Sequence, residues 1–177
     1  RPLSTTSATS TSTPASASPS TSLLPDVYAA LQAKLPHVEF STNIYERNRH
    51  GKGESHHPTA APDVVVTPTC TKDIQIIVQH CVQHNIPIIP FGVGTSVEGH
   101  VSALFGGISL DTSLLQSIDI PDMTGDIFPD QLATVGAGDT RKTLNEALRY
   151  TGMQFSVDPG ADATIGGMYV YRYCIIL

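Results

Sequence analysis

The sequence predicts an α+β domain: a βαβ unit followed by a mixed sheet with helices. Three consecutive stretches carry that prediction. Residues 63–68, "DVVVTP", are a short β-branched run of the kind that forms a buried strand. Residues 69–85, "TCTKDIQIIVQHCVQHN", place Ile74, Ile77, Val78 and Cys81 at i, i+3, i+4 and i+7, one face of an amphipathic helix that Asn85 can end. Residues 86–92, "IPIIPFG", return to a short apolar run. Strand, helix and strand with short joints imply that the two strands run parallel.

The remaining elements follow in chain order. Residues 1–22 hold 14 Ser or Thr and no acid, too little apolar surface to offset the entropy of ordering, so a disordered tail is expected. Its composition fits the end of an organelle transit peptide and equally a flexible linker. Residues 23–36, "LLPDVYAALQAKLP", predict a helix, with Pro25 suited to its first turn, Val27, Ala30 and Leu31 inward, and Pro36 as its stop. Residues 41–63 show no clean period and read as extended chain or loop. "GGISLDTS" and "LATVGAG" read as further strands. Between them, "SIDIPDMTGDIFPDQ" carries four Asp and two Pro, so part of it is a solvated turn or insertion. "DTRKTLNEALRYTG" predicts a helix capped by Asp139 or Thr140, with Leu144, Ala147 and Leu148 inward and Gly152 at C′. "MQFSVDPGADATIGGM" is a second loop rich in small residues.

Bulk composition excludes several classes. Apolar residues make up 40% and charged residues 15%, a globular domain diluted by a polar tail. Lys and Arg total 10 against a net charge of -6, so there is no electrostatic footprint for nucleic acid. No apolar run approaches the ~20 residues of a membrane helix, so no transmembrane segment is expected. Cys70, Cys81 and Cys174 are odd in number and widely spaced, and offer no disulfide framework.

The stretch "IPIIPFGVGTSVEGH", residues 86–100, ends a strand in a loop with Gly92, Gly94 and Gly99. A dinucleotide fingerprint needs a glycine where Val97 stands and a helix after it, and "HVSALFGGISL" does not read as one. A P-loop needs Lys and Ser/Thr where His100 and Val101 stand. Two readings remain: an anion-binding concavity of successive backbone N–H groups, with Thr95 and Ser96 hydroxyls beside it, or a plain turn needing glycine for positive φ. "DPGADATIGGM" adds Gly160, Gly166 and Gly167. Two small-residue loops in one short domain suggest two backbone segments approaching the same extended ligand.

Together "APDVVVTP", "IPIIPFGVGTSVEGH", "TRKTLNEALRYTG" and "VDPGADATIGGM" resemble, in family order over residues 44–168, the FAD-binding domain of the p-cresol methylhydroxylase (PCMH) / vanillyl-alcohol oxidase flavoprotein superfamily. Within it the likeness is to the D-lactate dehydrogenase (cytochrome) type and glycolate-oxidase-subunit-like proteins. "RNRHGKGESHH" is similar to the segment that precedes the domain in mitochondrial members. The resemblance implies that FAD is the cofactor. It also implies that Pro90, Phe91, Gly92, Val93, Gly94, Thr95, Ser96, Gly99 and His100 form its pyrophosphate loop. Pro159, Gly160, Ala161, Gly166, Gly167 and Met168 would line the flavin from another side. D-lactate or a related 2-hydroxy acid would be the parent's substrate, cytochrome c or a quinone its electron acceptor, and the mitochondrion its compartment. Rival readings are a non-catalytic fragment, another D-2-hydroxy acid or glycolate oxidase-type flavoprotein, and a βαβ binder of ATP or NAD.

The resemblance also implies an organisation of the chain: a tail at 1–22, a helix and extended segment at 23–57, the N-terminal part of the FAD domain at 58–168, and an aberrant end at 169–177. Gly136 and Ala137 stand where the family usually has Glu and Pro. After "GGM" the family continues in small residues, whereas this chain reads "YVYRYCIIL". That change reads as a truncated, mis-spliced or frame-shifted terminus, with the family's substrate cap and catalytic histidine region beyond it, so no catalytic residue is assigned.

Among other residues, His80 and His84 lie four apart on the helix, a spacing open to a metal, with a solvated pair as the default. His56 and His57 read as inert loop residues. Asp158 and Asp162 read as turn caps.

Overall fold

The computed structural model describes residues 24–120 and 132–170. The expected tail at 1–22, most of the Asp-rich insertion, Cys174 and most of the unusual C-terminal stretch lie outside the described residues. Eleven elements are described in order: α1 (Leu24–Lys34), β1 (Glu39–Ser41), α2 (Ile44–His50), β2 (Val64–Thr67), α3 (Thr71–His84), β3 (Ile88–Phe91), β4 (Ile108–Asp111), β5 (Ile118–Asp119), β6 (Thr134–Val135), α4 (Arg141–Leu148) and α5 (Ile165–Val170).

The expected βαβ unit is present as β2–α3–β3, and its strands are parallel, but they are not neighbours. The main sheet has the order β1-β2-β4-β3, so β4 is inserted between them. Val64 pairs with Ile108 on one side, and Ile88 pairs with Ile108 on the other. Strand β1 joins the far edge antiparallel to β2, with Phe40 opposite Val66, which makes the sheet mixed as expected. Strands β5 and β6 form a separate antiparallel ribbon.

The two faces of β4 are chemically different, as the two-residue period of a strand requires. Ile108 and Leu110 join Val64 and Val66 on the face that packs against Leu31 and Leu35 from the α1 end and Ile77 and Cys81 from α3. Ser109 and Asp111 point the other way and are equally buried. Helix inner faces deviate in detail from expectation. Ala30, Val78 and Ala147 are exposed, and their places are taken by Tyr28 and Leu35 near α1, by His80 in α3 and by Leu144 and Leu148 alone in α4. These are edge positions of their helical faces, where the partner surface decides burial.

Two segments expected as loop carry helices. Helix α2 lies within 41–63, the stretch read as extended chain or loop, and β1 ends at Ser41, where that stretch begins. Helix α2 starts where the Asn43 side chain accepts the Tyr45 N–H at 2.9 Å and ends at Gly51, whose N–H bonds the Arg47 carbonyl. Helix α5 takes over 165–170, where the Gly167 N–H reaches the Thr164 hydroxyl. Both helices are short, and tertiary contacts rather than periodicity hold them. Elsewhere the caps match expectation: Asn85 ends α3 in the left-handed region at φ 53°, and the Thr140 hydroxyl caps α4 by accepting the Thr143 N–H. Helix α4 ends at Leu148, so Gly152 is not its C′ residue, although it adopts φ 77° in the turn beyond.

His80 is not solvated. It is buried, with Nε2 3.0 Å from the Val27 carbonyl and Nδ1 3.4 Å from Lys34 Nζ, so Nε2 carries the hydrogen and Nδ1 accepts. Burial, with help from the His84 and Lys34 charges, pulls its pKa down despite the bond to Val27. Among the described residues there is no cluster of three metal-ligating side chains, and no helix is long and apolar enough to cross a membrane. Cys70 is exposed, and burial pushes the Cys81 thiol up to about 11.

Asp73 ties the start of α3 to the chain before it. One carboxylate oxygen accepts the Thr69 N–H, the Thr69 hydroxyl and the Cys70 N–H; the other lies 2.9 Å from His37 Nε2. Burial alone would raise its pKa, but these bonds outweigh burial and hold it well below the usual carboxylate range. A depressed folded-state value means stability that is fully present above the unfolded value of about 4 and is lost as pH falls below it. Asp73→Asn is therefore expected to lower stability by roughly 1–3 kcal/mol at pH 7 and to flatten the acid limb of the pH–stability curve. Urea denaturation between pH 2 and pH 7 measures both.

Candidate functional site

Parallel strands β3 and β4 are adjacent, so the chain leaving the carboxyl end of β3 must return to the opposite end of the sheet before entering β4. Residues 92–107 make that return without a helix, as the interruption by Gly106 and Gly107 implied. Gly107 has φ 95°, and a Cβ there would lie 2.3 Å from the Pro87 carbonyl oxygen, so only glycine lets the return pass so close to β3. The glycine loop consequently starts at the carboxyl edge of the sheet, where ligands of open parallel sheets bind.

The second small-residue segment reaches the same edge from beyond α4. It is fastened there by backbone bonds: Ile165 N–H to the Asp139 carbonyl at 2.7 Å and Gly166 N–H to the Ala137 carbonyl at 3.1 Å. Thr140 and Thr164 form a bridge. The buried Asp139 carboxylate accepts the Ser117 and Gly136 N–H groups and holds the turn together. A Cβ at Gly136 would lie 2.2 Å from the Leu115 carbonyl oxygen, so this packing admits no side chain there.

Between the two segments lies a cleft of about 480 Å³. Pro90, Phe91, Gly92, Val93, Gly94, Thr95, Ser96 and His100 line it from the first loop, and Pro159, Ala161, Gly166, Gly167 and Met168 from the second. Gly99 and Gly160, singled out with them in the sequence, stand outside the wall. Gly99 adopts φ 74° against the His57 ring, and Gly160 adopts φ 78° in a turn whose N–H bonds Asp158. Asp158 is thus a turn cap as expected, and also faces Arg141 at 3.6 Å; Asp162 instead pairs with Lys142 at 3.7 Å.

Sequence reading missed Val97, Glu98, Val101, Thr112, Ala137, Ala163, Thr164 and Val170 as wall residues. Thr112 and Ala137 had a legible signal, since each follows a strand at its carboxyl end. Thr164 had none. It matters most, because a Cβ on Gly92 would lie 2.6 Å from its hydroxyl oxygen: the two loops touch at that point.

The wall has no Lys or Arg among the described residues. Positive potential for a bound anion has to come from backbone donors. Among the described residues, the N–H groups of 93–97 meet no protein acceptor. The Ser96 hydroxyl accepts the Glu98 N–H at 3.3 Å and lies 2.8 Å from His100 Nδ1, so it is engaged within the loop.

The sequence matches the family described as FAD binding domain over residues 62–172. The chain belongs to the FAD-binding domain family. It is 44% identical over 122 residues to a probable mitochondrial D-lactate dehydrogenase of Danio rerio, covering 69% of this chain and 24% of that protein. It is 36% identical over 137 residues to the mitochondrial D-lactate dehydrogenase [cytochrome] of Arabidopsis thaliana, covering 75% of this chain and 23% of that one. The chain spans about a quarter of the length of these curated relatives. Among solved structures, alkyldihydroxyacetonephosphate synthase superposes with a TM-score of 0.69 at 23% identity, covering 81% of this chain and 28% of that one. Substrate-bound p-cresol methylhydroxylase superposes at 0.68 and 21% identity, covering 86% and 30%. The fold is PCMH-type, with helices and a mixed sheet, as the sequence resemblance implied.

The touching point of the two loops is open to test. Gly92→Val is expected to push Thr164 away and cost about 1–3 kcal/mol. The double variant with Thr164→Ala removes the opposing hydroxyl and recovers part of that loss. A double-mutant cycle in urea gives the coupling; simple additivity would show that the loops are not in contact.

Proposed function

We propose that the cleft between 90–100 and 159–168 holds FAD, with the pyrophosphate against the backbone donors of 92–97 and the second segment beside the flavin. The observation that carries this reading is the convergence of two small-residue loops, distant in sequence, at the carboxyl edge of a parallel sheet. The residues fit the group. Gly94, at φ 73°, keeps its own side free of a side chain, the amides of 93–97 are open to an acceptor, and Val93, Val97 and Met168 supply apolar wall for a flat ring system. The sequence-predicted Pro90, Phe91, Gly92, Val93, Gly94, Thr95, Ser96, His100, Pro159, Ala161, Gly166, Gly167 and Met168 are the proposed contacts; Gly99 and Gly160 act indirectly by shaping their turns.

The wider reading is that the chain is the cradle part of an FAD-dependent oxidoreductase of the D-lactate dehydrogenase (cytochrome) type, supported by relatives of that name from Danio rerio, Arabidopsis thaliana and Saccharomyces cerevisiae. When bound, FAD supplies an acceptor for the hydride of a D-2-hydroxy acid and a route for its electrons to cytochrome c or a quinone. The chain's own residues bind and orient. Backbone donors face the diphosphate, the apolar wall excludes water, and Thr164 sets the distance between the loops. The names of the relatives also support a mitochondrial location.

Titrating the 177-residue protein with FAD, FMN and NAD, followed by flavin fluorescence or by competition, tests the reading. FAD is expected to bind at least about tenfold tighter than FMN, a difference of about 1.4 kcal/mol that comes from the dinucleotide contacts. Equal affinity for NAD would support a general nucleotide binder instead. D-Lactate-driven dye reduction is expected to be absent from this chain alone, which spans only a quarter of its relatives' length.

A further inference from the structure

Residues 44–53 lie before the span matched by the family, yet they form a floor beneath the glycine loop. His50, the last residue of α2, is 1% exposed. Its Nδ1 lies 2.9 Å from the Glu46 carbonyl oxygen and its Nε2 lies 2.9 Å from Asp111 Oδ2. Both contacts are to oxygen atoms, so the ring is held at its two nitrogens. The second Asp111 oxygen accepts the Ser113 N–H at 2.9 Å, and Arg49 approaches the first at 4.0 Å. Burial would push the Asp111 carboxyl up, but the bonds from His50 and Ser113 hold it below its ordinary value.

Above this pair sits the loop. The His50 and Phe91 ring centroids are 4.1 Å apart at 45°. A Cβ on Gly94 would meet Phe91 Cε2 and Cζ at 3.1 Å, so Gly94 is seated on the Phe91 ring. The chain leaving α2 supports the same loop: a Cβ on Gly53 would lie 3.0 Å from the Ser96 carbonyl oxygen and 3.7 Å from that of Gly94. Gly51 is wedged against Ala60, where a Cβ would lie 2.2 Å from the carbonyl oxygen.

We propose that His50, clamped between the Glu46 carbonyl and Asp111, is a positioning residue that fixes the Phe91 ring and, through it, the 92–96 backbone in its ligand-receptive shape. The inference rests on the FAD reading only for what the loop holds; the positioning itself is a property of the protein without ligand. It gives a role to the histidine of "RNRHGKG" and to an aspartate at the carboxyl end of the central strand.

Backbone nitrogen relaxation on the full 177-residue chain tests it without ligand. His50→Leu fills the space but donates to neither oxygen, whereas His50→Gln can still donate to Asp111. In His50→Leu, backbone order parameters across 92–97 are expected to fall from about 0.85 to below about 0.6 while 64–67 and 77–81 keep theirs, with FAD affinity falling at least about tenfold. His50→Gln is expected to restore the order of the loop and to bring FAD affinity back to within about threefold. Unchanged order across 92–97, or an equal loss of order in every segment, would each overturn the proposal. If His50→Leu does not fold, Phe91→Leu should give the same loop-specific loss of order, and its absence counts against the proposal equally. A chain that shows this pattern of order but binds no FAD would sink the FAD reading and leave the positioning role standing.

Discussion

Strand β4 is hydrogen-bonded along both edges, to β2 on one side and β3 on the other, and all four of its residues are buried. That placement sets much of what surrounds it. Because β3 and β4 are parallel neighbours, 92–107 has to travel back across the sheet, and the glycine loop therefore begins at the carboxyl edge. Because β4 alternates, Ile108 and Leu110 close the core against α1 and α3 while Ser109 and Asp111 are turned to the other face, where Asp111 meets His50 of α2. A strand at an edge could leave its second face in water; a central one cannot, so a carboxylate on it needs buried partners. Asp111 has them in His50 and Ser113.

The cleft depends on small residues for a related reason. It is bounded by backbone more than by side chains, and backbone segments can approach this closely only where no Cβ intervenes. Gly92 against Thr164, Gly166 against Ala137 and Gly94 against Phe91 are three such approaches. With no Lys or Arg among the described wall residues, recognition of an anion leans on N–H groups whose direction is set by loop shape. Such a site is only as good as the rigidity beneath it. Hence the buttress under the loop bears on binding as directly as the residues that face the cleft.

Much of the fold was legible. The β-branched run at 64–67, the helical spacing of Ile77 and Cys81, and the caps at Asn85 and Thr140 each act through local chemistry, and each formed as expected. Helix α2 was not legible: "NIYERNRH" has no apolar period, and its one fully buried side chain is a histidine. His80 was misjudged for a parallel reason, since nothing local signals that the Val27 carbonyl and Lys34 wait for it across the α1–α3 contact. The wall residues divide the same way. The run from Pro90 to Ser96 was found unbroken, and Thr164, defined by a contact with Gly92 more than seventy positions away in the chain, was not.

The sequence by itself determined the elements with strong local codes, the two small-residue loops, and, through their order, membership of an FAD-binding family. The spacing of Gly92, Gly94 and Gly99 and the identity of His100 also excluded the better-known phosphate loops without any structure. Only the tertiary structure decided that β4 separates the two strands of the βαβ unit, that the loops meet at Gly92 and Thr164, and that His50 and Asp111 form a buried pair beneath them. Local propensity acts over a few residues. Strand order, loop contact and the pairing of buried polar groups are settled by which distant surfaces exclude water together, and no window of sequence contains both sides of such a contact.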